Sequence, residues 1–503
     1  MTDTSGKHPR PISRPLLRGT NGIAKILLWL CGSAGAGIGL LGTLGLHVPL
    51  SISVLIIWVV TFGFLVSGGG FAGLALLPRW MVILYFLPIA PLIENVFSDL
   101  PSYGSLMPMI FSLTTDTEVV QQVAAIAAVG LCAFVSGMSV ARLTRRTSTK
   151  LRGDEGTVGA LFFVTVMVSA TALVLLTLPS TTIIQQAYSD VTSGEAKPLL
   201  DLRFSGAGFL VYMFLFAGLI DFDAERNRTR RTIKQVAWGL CFVALIGANA
   251  LRGVRNPIGL VVAVFAWWLV RLHKHRRLTL RRALSLFAVA SLVIVSASEM
   301  DNLRVHLATG MYQPFEGLAQ WSYSQQAWMG ATWSLFGLSD SFLSGTFSLQ
   351  HGQTYLDYAL SLPPSIIANA VGYQRPISDS VNPAWWFQGY TVGGMHPTVV
   401  PFANFGILGV LVVMTMVGWV IGRVEEFSSR DDFASQLFYG SAFVGSLFWF
   451  WYGDMYEIRA FMGAFSVLLV WKIMRKRLKS PQERSEVPTR KLLQVFPQAG
   501  QHQ

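Results

Sequence analysis

Long apolar runs, broken by short polar and basic connections, set the pattern of this chain. The runs are roughly 18 to 25 residues long, enough for a helix to cross a hydrocarbon core about 30 Å thick. The pattern predicts twelve helices, over 24–44, 48–67, 78–97, 119–141, 157–177, 206–222, 235–251, 256–272, 283–300, 398–421, 434–452 and 457–473. The expected fold class is therefore all-α: a polytopic membrane protein. Its organisation would be a cytoplasmic segment (1–22), helices one to nine (23–300), a large outer loop (301–397), helices ten to twelve (398–473) and a cytoplasmic tail (474–503).

The polar connections decide the orientation. Basic residues cluster in the N-terminal segment (Lys7, Arg10, Arg14, Arg18), in "ARLTRR…KLR" (141–152), "RNRTRRTIK" (226–234) and "RLHKHRRLTLRR" (271–282), and in the tail "KIMRKRLK". With twelve crossings all of these fall on one side. Lys and Arg are retained on the cytoplasmic side, so both termini are expected on that side. The segment 301–397 then lies outside. It is far longer than an ordinary connection and rich in Trp, Tyr and Phe. Within it "YLDYALSLPPSIIANAVG" (355–372) predicts an amphipathic interfacial helix interrupted by Pro363 and Pro364.

Composition strengthens the membrane reading. Of 503 residues 52% are hydrophobic and 13% charged, and the mean hydropathy is +0.49. The first apolar run has no small-residue cleavage site after it, so the first helix is expected to be retained. The net charge of +12 sits in loops flanking the helices, as orientation signals do, and not in a nucleic-acid-binding surface. Cys31, Cys132 and Cys241 each fall inside a predicted helix, far apart in sequence. That gives neither a disulfide framework nor a zinc pattern, and redox chemistry is not expected. Glycines in "GSAGAGIGLLGTLG" (32–45) and "SGGGFAG" (67–73) predict close helix packing through small residues. Gly37 to Gly42 spells G-x-G-x-x-G, but no strand precedes it, so it is no dinucleotide site.

Two clusters of candidate chemistry stand on the outer side. Arg252 and Arg255, in "ALRGVRNPIG", are three residues apart and share a face if the helix continues through them. Orientation does not call for arginine there. A guanidinium keeps its charge and offers a planar fork to phosphate oxygens, which suits a lipid pyrophosphate; interfacial snorkelling is the alternative. The second cluster is "GGMHPTVVPFANFGILG" (393–409), where the outer loop re-enters. His396 sits at that mouth, and an imidazole there can take a proton from a sugar hydroxyl or serve structure alone. Pro397, Pro401 and Gly406 predict a broken helix start lining a cavity.

Further outer candidates are Arg304, Arg375 and the short gap with Asp454, Glu457 and Arg459, each also explained by local salt bridges. Trp321, Trp328, Trp333, Trp385, Trp386 and Tyr390 suit sugar stacking or an interfacial aromatic belt equally. Asp221 and Asp223, in "IDFDAER", lie on the predicted cytoplasmic side and read as an acidic cap beside a basic run, not as a metal and nucleotide-sugar site. No metalloprotease, phosphate-loop or nucleophilic-serine motif occurs. No metal and no cofactor is expected.

The "LRGVRNP" turn, the long late outer loop and the "P-x-x-x-P-F-A-N-F-G-I-L-G" re-entry resemble the Wzy-type O-antigen or oligosaccharide repeat-unit polymerases, relatives of the O-antigen ligases. The resemblance implies a GT-C-like helical fold and a metal-independent glycosyl transfer at the periplasmic face. The donor would be undecaprenyl-pyrophosphate-linked glycan, extended onto another lipid-linked repeat unit to build O-antigen, exopolysaccharide or capsule. It implies pyrophosphate contacts from Arg252 and Arg255, with Arg304, Arg375 and Arg459 in second rank. It also implies cavity shaping by Pro401, Asn404 and Gly406, and a catalytic place for His396 by position. Membrane lipids, a chain-length regulator and a flippase are the potential partners. Two other functions fit the same pattern: a ligase moving finished glycan to another acceptor, and a transporter of polysaccharide or lipid-linked sugar, for which Glu94 is the main intramembrane charge.

Overall fold

The computed structural model describes residues 17–43, 48–67, 76–90, 116–144, 157–177, 205–250, 258–275, 329–361, 371–374, 376, 395–452 and 455–478. These residues are all-helical, with no β-strand among them. The helices are α1 (Leu17–Thr43), α2 (Leu50–Ser67), α3 (Leu76–Phe86), α4 (Thr117–Leu143), α5 (Ala160–Thr177), α6 (Ser205–Ala224), α7 (Arg228–Ala250), α8 (Ile258–His275), α9 (Met329–Leu343), α10 (Gln353–Ser361), α11 (Val399–Glu425), α12 (Phe433–Tyr452) and α13 (Met455–Leu478). Helices stand over eleven of the twelve segments that hydropathy picked out. The ninth, 283–300, lies outside the described residues. Two stretches, Thr117–Leu143 and Val399–Ser429, are long and apolar enough by length and composition to cross a membrane.

The chain divides into two compact units. The first holds α1 to α4, α9 to α11, the last residues of α12 and the first two of α13. Its centre is α4, buried on almost every side. Asp116 caps the start of α4, its Oδ1 accepting from the Glu118 (2.9 Å) and Val119 (3.3 Å) amides. Against α4 packs α11, running in the same direction, with their backbones in direct contact. A Cβ added at Gly137 would run into the Thr415 carbonyl and stand 2.8 Å from Trp419 N, and one at Gly418 would run into the Phe134 carbonyl. Further along, a Cβ at Gly422 would stand 2.7 Å from Ala141 Cβ. Gly418 and Gly422 form the small-xxx-small spacing that lets helices approach closely where lipid supplies no hydrophobic drive.

The glycines singled out by their density behave differently. Gly35 faces Cys132, but Gly37 and Gly39 have nothing within 4 Å. The close backbone approaches in this unit come instead from glycines in α4 and α11.

Helix direction can be read from side-chain contacts. Gly35 of α1 lies by Cys132 and Gly32 by Ser136, so α1 opposes α4. The Leu77 amide of α3 donates to the Glu425 carboxylate (3.3 Å), and at the other end of α3 the Tyr85 hydroxyl donates to Ala127 O (2.8 Å). Thus α3 also opposes α4 and α11. At their shared C-terminal end α4 and α11 carry Arg142 and Arg423, and Arg423 donates to the Thr144 carbonyl (3.1 Å) and hydroxyl (2.9 Å). Along α11, Leu408, Val412, Met416 and Trp419 face outward, an apolar stripe at helical spacing.

The second unit holds α5 to α8, most of α13 and the first part of α12. Its organising feature is Lys234, one of the largest side chains that is fully buried. Its ammonium donates to Asp221 Oδ2 (2.8 Å) and Glu225 Oε2 (2.9 Å). The second Asp221 oxygen accepts from the Val158 amide (3.1 Å) ahead of α5, and the Thr157 hydroxyl donates to Glu225 (2.9 Å). The Phe163 ring lies 5.5 Å from the ammonium. This one cluster therefore ties α5, α6 and α7 together at one end. Asp223 pairs with Arg231 (3.2 Å) and Arg271 (2.7 Å) beside it. Asp221 and Asp223 are thus engaged by cations of this chain, in keeping with a structural cap.

Candidate functional site

The first unit brings together four of the residues singled out from sequence: His396, Pro401, Asn404 and Gly406, all at the start of α11. The segment enters through Met395–Thr398. The His396 amide donates to Ala331 O of α9 (2.8 Å), and the His396 carbonyl accepts from Val399 N (2.9 Å), opening the helix. His396 Nδ1 lies 2.7 Å from the Thr398 hydroxyl and 3.4 Å from the Thr398 amide. Both can donate, which assigns the ring proton to Nε2.

The imidazole is fully enclosed, with the Tyr85 ring edge-on at 4.8 Å. Nε2 has no hydrogen bond of normal geometry among the described residues. Burial pushes the pKa of His396 down to about 3, which a contribution from the Tyr85 backbone only partly opposes. A neutral, enclosed ring accords with the structural one of the two roles left open for His396. In this conformation it pins the entry of α11 against α3 and α9.

That burial has a consequence for stability. The unfolded histidine titrates near 6.5 and the folded one near 3, so between these values the unfolded chain binds one proton more. Stability from this group is full above pH 6.5 and falls by about 1.4 kcal/mol per pH unit below it. Lowering the pH from 7 to 5 is expected to depress the thermal unfolding midpoint of the wild type more than that of His396→Gln. Equal shifts would count against the buried neutral ring.

Past the entry, α11 breaks. Gly406 has φ 63° and ψ −152°, a region essentially reserved for glycine. The break leaves the carbonyls of Ala403 and Asn404 without their helical donors, and the turn ahead of α10 supplies them. Gln350 N donates to Ala403 O and His351 N to Asn404 O, both at 2.9 Å. The buried Asn404 side chain completes the latch, accepting from Gly352 N (3.1 Å) and donating to Val400 O (2.8 Å). Pro401 sits on the turn before the break, its carbonyl against Gly409. The Phe405 ring, 43% exposed, stacks on Tyr355 of α10 with centroids 6.3 Å apart and planes at 8°. Helix α10 buries Thr354, Asp357 and Tyr358 and exposes Leu356 and Leu360. Over Gln353–Ser361 it is amphipathic, as expected; Pro363 and Pro364 lie outside the described residues. Gly406→Ala is expected to cost about 1–3 kcal/mol, because alanine cannot hold this φ/ψ pair without strain. Chemical denaturation in detergent reads it, and an unchanged midpoint would mean that the break relaxes freely.

The remaining candidates divide. Arg252, Arg255, Arg304 and Arg375 lie outside the described residues, as do Glu94, Asp454, Trp321, Trp328, Trp385, Trp386 and Tyr390. Arg459 lies near the start of α13, half-buried and engaged, in the second unit. Trp333 is buried in α9 and belongs to the core, not to an open sugar platform. Sequence reasoning passed over Lys234, which it counted with the orientation signals. A signal was there: Lys234 is the last cation of its run, at the edge of the apolar stretch of α7 and shortly after three acids. In Glu225 the desolvation that would raise its pKa is outweighed by Lys234, Thr157 and the Asn227 amide, so the group is held below the usual carboxylate range. Among the described residues no group of three or more His, Cys, Asp or Glu is placed to hold a metal ion.

Comparison with protein-family models, with curated proteins and with solved structures gives no match.

Proposed function

We propose that the chain is a twelve-helix inner-membrane glycosyltransferase with both termini in the cytoplasm. It polymerises undecaprenyl-pyrophosphate-linked oligosaccharide units into a surface polysaccharide at the periplasmic face. The observation that carries this reading is the latched break at Ala403–Gly406. Irregular backbone is tolerated at membrane depth where it lines a cavity or is buried in protein, and here it falls where the large loop re-enters. The direction of the helices supports the orientation. Parallel α4 and α11 are both even-numbered crossings in the sequence reading, and α1 and α3, which oppose them, are odd-numbered. Arg142 and Arg423 then fall on the cytoplasmic side, as positive charge should.

The chemistry follows from the charges. A polyprenyl pyrophosphate leaves readily once its negative charge is held, and Arg252 and Arg255 are the residues assigned to hold it. Arg304, Arg375 and Arg459 are secondary contacts. His396, Asn404 and Gly406 shape the mouth through which the acceptor reaches the anomeric carbon. The acceptor hydroxyl forms the new glycosidic bond as the sugar–phosphate bond breaks, and its proton leaves with the phosphate side of the reaction. No metal and no nucleotide takes part.

The test incubates purified protein with lipid-pyrophosphate-linked repeat units, alone and with other acceptors, and resolves the products by size. A ladder from repeat units alone is the expected result. Transfer seen only to a different acceptor would make the protein a ligase, and movement of substrate across vesicles without bond formation would make it a transporter. Arg252→Ala is expected to lower the rate of chain extension about 100- to 1000-fold while the protein stays in the membrane, if the contact acts as an oxyanion donor does. Wild-type chain length in that variant would sink the assignment.

A further inference from the structure

In the second unit, where α8 finishes and α12 begins, a cleft of about 300 Å³, counting its open mouth, has Trp267, Arg271, Phe427, Arg430, Asp431 and Gln436 in its lining. Each arginine lies over a ring: Arg271 Cζ is 5.3 Å from the Trp267 centroid and Arg430 Cζ 5.1 Å from that of Phe427. Packing on a ring steadies a guanidinium and leaves its N–H edge to acceptors. Arg430 pairs with no acid among the described residues. Arg271 is tied to Asp223 at 2.7 Å, but its bond to Asp431 is long, 3.4 Å, and the Asp431 side chain is 65% exposed. Gln436 adds a third donor. The Trp267 indole can only donate, so its bond of 3.3 Å to Gln436 fixes the amide with the oxygen toward the indole. The amide nitrogen is left without a hydrogen bond among the described residues, on a side chain that is buried yet lines the cleft.

We propose that this cleft binds a phosphate group, supplied by an acidic phospholipid. Two guanidinium groups and a carboxamide nitrogen stand against one carboxylate, a donor-rich lining that calls for an anionic ligand rich in oxygen. Guanidinium forks match the paired oxygens of a phosphate. One phosphate oxygen takes the place of Asp431 on Arg271, a second meets Arg430, and the Gln436 amide donates to either. The position on α8 argues for a lipid source. The apolar stretch Ile258–Arg271 ends on Arg271 itself, and Trp267 and Trp268 stand in its last turn, the residue type that gathers at headgroup level. In the proposed orientation this end is cytoplasmic, the side on which basic pockets between helices take acidic headgroups. The inference rests on the membrane reading of the chain and is independent of the proposed glycosyl transfer.

The experiment titrates the purified full chain in non-ionic detergent with phosphatidylglycerol and follows lipid retention by native mass spectrometry. No glycan is present, so a failure of glycosyl transfer leaves this readout untouched. Arg430→Gln and Gln436→Glu are each expected to weaken the tightest lipid adduct about tenfold, the size of one hydrogen bond to a charged group. Gln436→Glu keeps an acceptor for Trp267 and sets a negative charge against the phosphate. Arg230→Gln removes an exposed cation from the start of α7, at the same end of the unit but outside the cleft, and should change retention little. Equal losses in Arg430→Gln and Arg230→Gln, or unchanged retention in Gln436→Glu, would overturn the site. A parallel arm replaces the lipid with potassium phosphate, against potassium chloride of equal ionic strength, and reads the thermal unfolding midpoint. A rise with phosphate that Gln436→Glu abolishes, without lipid retention, would overturn the lipid source in favour of the free ion. Neither a rise nor retention would overturn the cleft as a phosphate site. Should Gln436→Glu fail to accumulate, the contrast between Arg430→Gln and Arg230→Gln decides.

Discussion

Lys234→Met is expected to destabilise the second unit by about 3–5 kcal/mol, the usual consequence of removing one partner from a buried ion pair. The size of the effect follows from what remains. Asp221 is fully enclosed and Glu225 nearly so, and both ammonium contacts, at 2.8 and 2.9 Å, go together. Two carboxylates would then share an apolar site with neutral donors in place of the ammonium: the Val158 amide on Asp221, and the Thr157 hydroxyl and Asn227 amide on Glu225. The measurement is the thermal unfolding midpoint of purified protein in detergent. A second variant makes the interpretation specific: adding Asp221→Asn and Glu225→Gln to Lys234→Met removes the charges that were stranded and should recover much of the loss. An unchanged midpoint in the single variant would mean that the cluster is hydrated and contributes little.

Gly418→Leu is expected to have an effect of the same order by a different route. The added side chain would begin inside the carbonyl of Phe134 on α4, and the obstacle is backbone, which cannot rotate away. Overpacking typically costs about 1–3 kcal/mol, and a clash with main chain lies at the upper end or beyond. Gly137→Leu meets α11 in the same way, at Thr415 and Trp419. Gly39→Leu, in open space on α1, is the matched control and should change little. Size-exclusion profiles of the three proteins in detergent check this: loss of the monodisperse peak in the first two and its retention in the third. Equal behaviour of all three would show that α4 and α11 can part without damage.

The residues differ in how far their roles could be read in advance. Helix positions were legible because the helical stretches are long and almost uniformly apolar, and the 3.6-residue period is not needed to find them. The break near Gly406 was legible too, since prolines and glycine crowd the start of an otherwise unbroken apolar run. What holds the break was not: Asn404 bonds to a turn about 50 residues away in sequence, and the one glycine that marks the turn, Gly352 at positive φ, does not name its partner. His396 was placed at the mouth of the re-entry with a base and a structural role both open, and only the fold shows α3 and α9 closing over it. Glycine density drew attention to α1, whereas close approach depends on which glycine faces a neighbour. Lys234 shows the same limit for charge. A cation at the end of a basic run looks like an orientation signal until the fold places two acids beside it.

The shared direction of α4 and α11 also constrains how the chain can assemble. Neighbours that run the same way cannot be a hairpin, so nothing local in sequence brings them together. Gly137 leaves the ribosome about 280 residues before Gly418, an interval of tens of seconds at synthesis rates of about 5–20 residues per second. Through that interval the small-residue groove on α4 lacks the helix that fills it in the finished fold. The final contact is then made late in biogenesis, and the stability of the finished protein depends on the last third of the chain arriving intact.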